Sequence, residues 1–282
     1  MKNLCYLSAL AATAVLVSCK DSKSDGVVLA KGDGLPKPGI KLTTSRSLAM
    51  KGGEVKIVAS GQNMEGTMDM TDSETADIEF LSADKVKYTI KAGEKVQAMK
   101  LNGQNVPNEP QPSPLLGKTV IYTKSGSKWT GALESGSPTP PQAKEIEKYE
   151  KKLEKSSDAA VYGSAARKVG ETWTVDGANI PFAGNDGDTK GTLKLTFKGV
   201  ETYEGRKCAR LEGTLDITGK TDADQGGQSI SMKGDTVILR AIEEMIDVKQ
   251  DFKGKMEMNG TIPGGTMSMS GDITVGETNK IN

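Results

Sequence analysis

The sequence contains no histidine. This absence removes the usual general base near neutral pH, the Ser-His-Asp and Cys-His nucleophile pairs, and the commonest zinc and copper ligand. Carboxylates, lysine or serine can run some chemistries alone, yet no nucleophile and base can be paired here, so no catalytic residue is assigned and the chain reads as a non-enzyme. Aromatic residues are also scarce, at 4%, which leaves aliphatic and thioether side chains to build the interior. Net charge is missing as well: 37 basic side chains balance 37 acidic ones, and no basic stripe suited to nucleic acid stands out. After the first apolar run there is no second one long enough to cross a bilayer. No motif implies a cofactor.

The first apolar run is the most specific signal present. Lys2 supplies a cationic start, and Leu4 to Val17 form an apolar core too short to span a membrane, which is the pattern of a secretory leader. It closes in Leu16-Val17-Ser18-Cys19. A large aliphatic residue three before a cysteine, with small residues between, resembles the lipobox of bacterial lipoproteins. The resemblance implies cleavage after residue 18 and lipidation of Cys19, and acyl chains there give stable anchoring, at about 0.8 kcal/mol per buried CH2. Lys20 and Asp21 follow; a non-acidic residue directly after the cysteine implies, by the same resemblance, the outer membrane facing the periplasm. With Cys5 in the leader and Cys19 carrying lipid, Cys208 stands alone and no intramolecular disulfide forms.

Residues 19–39 are rich in Gly, Ser, Asp, Lys and Pro and read as a flexible tether, interrupted by a short apolar stretch at Val27 to Leu29. Thereafter apolar and polar residues alternate with the period of half-buried strands. Val55, Ile57 and Ala59 form one such set; Met64, Met68 and Met70 the next; then Ile78 and Phe80; then Val86, Tyr88 and Ile90. Turns are expected at Gly52-Gly53, Thr71 to Thr75 and Ala83-Asp84. Four prolines between Asn105 and Pro114 mark an excursion from the sheet. Strands are expected at Lys118 to Lys124 and Lys128 to Leu133.

One amphipathic helix is expected over 141–157, with Ile146, Tyr149 and Leu153 as its apolar stripe and Glu150 and Glu154 on a solvated face. Alternation resumes at Gly170 to Val175 and continues through Leu193 to Phe197, Ala209 to Ile217, Ile230 to Leu239, Glu244 to Phe252, Lys255 to Ile262 and Thr266 to Val275. Arg240 to Val248 fits a short helix as well as a strand; its neighbours favour strand. The fold class is therefore mainly β: antiparallel meander sheets, as a curved half-barrel or two similar β halves (40–140 and 158–282), with one helix between them.

Methionine is the over-used residue, with 12 in the chain, recurring as Met68-Asp69-Met70, Met256-Glu257-Met258 and Met267-Ser268-Met269. Residues two apart in a strand share a face. Such a face is first of all core filling, but a Met-lined surface also adapts to apolar ligands, and soft thioethers suit Cu(I). Trp129 and Trp173 read as core or edge cover.

With the lipobox, the Lys168-Val169-Gly170-Glu171-Thr172-Trp173 segment and the Gly205-Arg206-Lys207-Cys208-Ala209 turn, the chain resembles uncharacterised bacterial lipoproteins of the domain-of-unknown-function type. More distantly it is similar to the LolA/LolB-type half-barrels, a likeness that implies a curved sheet cradling acyl chains. Two functions follow as expectations. One is a membrane-anchored module that binds an apolar ligand, an acyl chain or a lipoprotein, on a curved sheet. The other is a structural or interaction lipoprotein whose partners are envelope proteins. A binding face must leave apolar side chains uncovered; a structural sheet fills its interior.

Overall fold

The computed structural model describes residues 26–32, 35–155, 158–180, 189–220, 228–262 and 264–282. The leader, the lipobox and Cys19 lie outside these residues. The fold is mainly β, as expected, and the two halves form one continuous antiparallel sheet of 13 strands that does not close.

The N-terminal half contributes β2 (Lys41–Ala59), β3 (Gln62–Ser82) and β4 (Lys85–Leu101), then the short β5 (Gln104–Val106), β6 (Gln111–Pro112), β7 (Thr119–Ser125) and β8 (Lys128–Leu133). The C-terminal half contributes β10 (Thr172–Asp176), β11 (Lys190–Tyr203), β12 (Arg206–Lys220), β13 (Ser229–Ala241), β14 (Ile246–Ile262) and β15 (Gly265–Ile281). Each half is a meander, and the last strand β15 pairs with β2 to join them, with Leu42 opposite Ile281 and Ala59 opposite Gly265.

The strands are fewer and longer than the alternation suggests. Thr71 to Thr75 is not a turn: β3 runs through it, so Met64 to Met70 and Ile78 to Phe80 belong to one strand of 21 residues. Gly52-Gly53 likewise lies within β2, at a register shift between Met50 and Gly53. A β-bulge adds a residue and resets which parity faces inward, and that break in the period imitates a turn in the sequence. The opposite error falls at Arg240 to Val248. The chain leaves β13 at Ala241 and turns through Met245, whose φ of 59 lies in the left-handed region, before β14 begins. The proline-rich excursion folds back along β4, where β5 and β6 pair with residues 94–101.

The helix α1 (Pro140–Lys155) packs Ile146, Tyr149 and Leu153 on a cluster that includes Ile78, Phe80, Val86, Tyr122 and Trp129. A second, short helix α2 (Asp158–Tyr162) packs Tyr162 on Leu195, Phe197, Ala209, Leu211 and Ile238. Two further pieces, β1 (Val27–Val28) and β9 (Ala166–Arg167), form their own small ladder. This corrects the tether. Leu29 and Ala30 are fully buried against the α2 side of the sheet, and Leu35 and Ile40 pack on the α1 side, so residues 26–32 and 35–39 belong to the folded body.

Glu150 is half-buried and Glu154, exposed as expected, still reaches the sheet edge. The backbone N–H of Gly131 donates to Glu150 Oε1 at 2.5 Å and that of Trp129 donates to Glu154 Oε1 at 3.1 Å. Strand β8 is the end of the sheet, so these carboxylates occupy donors that an open edge would offer to another chain.

Candidate functional site

Cross-strand register assigns each residue to a face of the sheet. On β2, Leu42, Thr44, Arg46, Leu48 and Met50 point inward, and after the bulge so do Gly53, Val55, Ile57 and Ala59; the residues between them are mostly exposed. Both helices lie on this inner face, at the end of the sheet that holds Leu42 and Ala209. Among the described residues the other end carries no helix. There the inner face consists of Met50, Val55, Ile57, Met68, Phe252, Met256, Met269 and Ile273, buried among themselves, with half-buried Met64, Met70, Met99, Met232, Met258, Met267, Ile230 and Ile262 around them. Every methionine except Met1 and Met245 belongs to this cluster.

A flat sheet with nothing lying on it would leave these side chains in water. Met50 and Val55 are only 1% exposed, and their neighbours are residues of β12 to β15 and β2 to β4, so the sheet curls around them. Glycine makes the curl feasible where Gly234 of β13 sits opposite Gly254 of β14. A Cβ on Gly234 would lie 2.2 Å from the Lys253 carbonyl oxygen and 2.5 Å from Gly254 Cα. No side chain fits at that bend.

The methionines meet in cross-strand pairs: Met50 with Met70, Met68 with Met99, Met232 with Met256, and Met258 with Met269. Gln97 Nε2 donates to Met70 Sδ at 3.7 Å. Inward residues from Phe252 to Ile262 span about 33 Å along β14, close to the thickness of a bilayer's hydrocarbon core. The expected Met-x-Met faces are therefore brought together into one surface, buried in its middle and partly open toward the hairpin ends.

A polar belt separates this surface from the helix-covered end. Glu277, Arg46 and Glu74 share one rung across β15, β2 and β3. On the next rung Thr44 Oγ1 donates to Asn279 Oδ1 at 2.6 Å, and Asn279 Nδ2 donates to the Asp247 carbonyl oxygen at 2.7 Å. Tyr149 of α1 donates its hydroxyl to Glu74 and packs with Tyr88 and Tyr122, whose rings meet edge-on at 5.5 Å. Burial pushes the phenols of Tyr88, Tyr122 and Tyr149 above the ordinary tyrosine range, and the Glu74 carboxylate adds to the effect.

Two clefts lie among mixed charged and apolar side chains. One of about 210 Å³ is lined by Glu54, Lys56, Glu257 and Asn259 on the outer face, and one of about 320 Å³ by Lys41, Asp77, Glu79 and Lys87. Met269 also lines the first, and Leu42 and Ile78 line the second beside its charged residues. Among the described residues no three of His, Cys, Asp and Glu gather as a metal cradle; for a soft ion the thioethers of Met258, Met267 and Met269 are the donors that register brings side by side. Cys208 is fully buried, and burial raises its thiol pKa, which disfavours the reactive thiolate. Trp129 is core, while Trp173 donates from Nε1 to the Val161 carbonyl at 2.8 Å with the Arg167 guanidinium 4.5 Å over its ring.

The buried ionic centre was not visible in the sequence. Arg240, 1% exposed, donates from Nη1 to Asp247 Oδ1 at 2.7 Å and from Nη2 to Asp158, and lies 4.2 Å over the Tyr162 ring. Tyr162 in turn donates to Asp247 Oδ2 at 2.6 Å.

No family model matches the chain, and no curated protein matches it. Among solved structures it is similar to lipovitellin, in a study of lipid–protein interactions, with a TM-score of 0.41 and 8% identity over 86% of this chain. The chain spans 25% of that protein's length.

Proposed function

We propose that this protein is a lipoprotein of the bacterial cell envelope, held in the outer membrane through lipid on Cys19, and that its curled sheet binds an apolar ligand such as an acyl chain or the lipid moiety of another lipoprotein. The observation that carries the binding half of this reading is the helix-free end of the inner face. Six half-buried methionines and three isoleucines or leucines lie there without a helix over them among the described residues, namely Met64, Met70, Met99, Met232, Met258 and Met267 with Ile230, Ile262 and Leu101. Flexible thioethers can re-pack around chains of differing shape, which suits cargo of mixed composition. The anchor half rests on the lipobox residues Leu16 to Cys19.

A second reading, a structural lipoprotein that binds envelope proteins and no small ligand, draws support from a different observation. Met50, Val55, Met269 and Ile273 are already buried by one another, so the middle of the inner face is filled without a ligand.

The test is native mass spectrometry of the chain from Gly26 onward, exported and purified without detergent, followed by lipid extraction, copper analysis and titration with a fluorescent fatty acid. Lipid at near-unit stoichiometry, displaced by the probe, supports the binding reading. A clean apo mass with no probe binding overturns it in favour of the structural one, and stoichiometric copper reassigns the methionines to a soft-metal site.

A further inference from the structure

The two ends of the sheet differ in a way that fixes how the molecule meets a membrane. The N-terminal segment joins the body at one end only. Val27 and Val28 pair with Arg167 and Ala166, Leu29 is fully buried, and its carbonyl oxygen accepts from Arg240 Nε at 2.6 Å. Arg240 sits opposite Asp247 near the start of β14. The half-exposed methionines lie toward the other end, where Ile262, Gly265, Ala59 and Gln62 meet in register. From Asp247 to Ile262 the strand covers about 50 Å.

The chain between Cys19 and Gly26 reaches at most about 25 Å even when fully extended. A body whose entry point is clamped at Leu29 is thus held close to the lipid headgroups at its Arg240 end. Its outer face beside the methionines is mostly charged, with Glu54, Lys56, Lys253, Lys255 and Glu257 exposed there. The large apolar residues exposed among the described ones are Val58, Leu81, Leu116, Val169 and Val200, spread over different elements.

We infer that the protein stands on its membrane at the Arg240 end and presents the Met-lined end to the aqueous compartment, some 50 Å away, an inference that rests on the anchored, ligand-holding reading above. The apolar ligand is then exchanged with a carrier or membrane on the far side, and is not drawn from the leaflet that holds the anchor.

The experiment uses the full lipidated chain in vesicles of phosphatidylethanolamine and phosphatidylglycerol doped with a headgroup-nitroxide lipid. A fluorophore is placed on Lys168→Cys, beside the β9 segment that pairs with Val27, or on Gln62→Cys at the hairpin end; both positions are exposed. Intact mass confirms one label per chain, with the buried Cys208 unmodified. The expected result is at least about a threefold greater loss of emission at position 168 than at position 62, given the distance between the ends. Equal quenching, or stronger quenching at 62, in a chain that floats with the vesicles overturns the orientation alone. A chain that carries no lipid mass and does not float overturns the anchor reading, and this inference with it.

Discussion

Arg240 Nε donates to the carbonyl oxygen of Leu29, 211 positions earlier, from a site only 1% exposed. That bond, with the pairs to Asp247 and Asp158, gathers the N-terminal segment, α2, β13 and β14 at one buried guanidinium. Removing one partner of a buried ionic group leaves the others uncompensated, so Arg240→Ala is expected to cost about 3–5 kcal/mol, and Arg240→Met nearly as much because Asp247 stays charged. Urea denaturation checks this. A loss under about 1 kcal/mol for Arg240→Ala would show that water replaces the guanidinium at little cost.

Truncation separates body from tether. A chain starting at Gly26 should match the longer chain in denaturation midpoint. One starting at Ile40 loses Leu29 and Ala30 from the core and the acceptor for Arg240, and is expected to lose at least about 3 kcal/mol or fail to fold. Equal midpoints for the two would contradict the packing of residues 26–32.

The edge of β8 gives a third expectation. Replacing Glu150 and Glu154 with alanine uncovers the N–H groups of Gly131 and Trp129; each lost acceptor is expected to cost about 1–3 kcal/mol. It should also promote association through the exposed edge. Glutamine at both positions keeps an acceptor and should restore the association state of the parent chain. Sedimentation velocity distinguishes the three chains.

Alkaline stability follows from the tyrosines. Tyr122, Tyr149 and Tyr162 have folded-state pKa values above the unfolded value, chiefly through burial. Their contribution is fully present below the unfolded pKa of about 10, and above it the unfolded chain releases protons that the folded one retains, so stability falls by about 1.4 kcal/mol per pH unit for each. Tyr149→Phe and Tyr162→Phe should each flatten the decline above pH 10 while leaving the neutral-pH slope unchanged. An unaltered alkaline slope in both variants would count against the burial of these phenols.

The fold class was legible because alternation survives over most strands, and α1 because Ile146, Tyr149 and Leu153 keep helical spacing. What escaped has identifiable causes. The bulge after Met50 and the polar rung at Arg46 and Glu74 interrupt the period in the middle of long strands, so each long strand reads as two short ones. Val27 to Ala30 is too brief to show a pattern, and its burial depends on residues two hundred positions away. Arg240 carries the charge of a surface residue, and nothing local announces that Asp158, Tyr162 and Asp247 converge on it. The candidate site was half legible: the Met-x-Met spacing put thioethers on a common face, but only the register shows Met232, Met256, Met258 and Met269 as neighbours.

The ligand reading predicts a separation of binding from stability. Met258 and Met267 are half-buried at the rim of the cluster. Met258→Lys with Met267→Lys should weaken binding of a fluorescent fatty acid by at least about tenfold, equivalent to about 1.4 kcal/mol, while the leucine pair keeps it. Unchanged binding in the lysine pair would remove this surface from consideration.

Strand β15 joins the two halves, between β14 and β2. Its 17 residues bring Ile281 opposite Leu42 and Asn282 against Thr43, 239 positions apart. Without them β2 and β14 each lack a neighbour, and the sheet would be two fragments with open edges. Ordering contacts this distant is slow. The seam between β15 and β2 is thus the last ladder to form, and until it does the facing edges of the two halves stay open to any other strand.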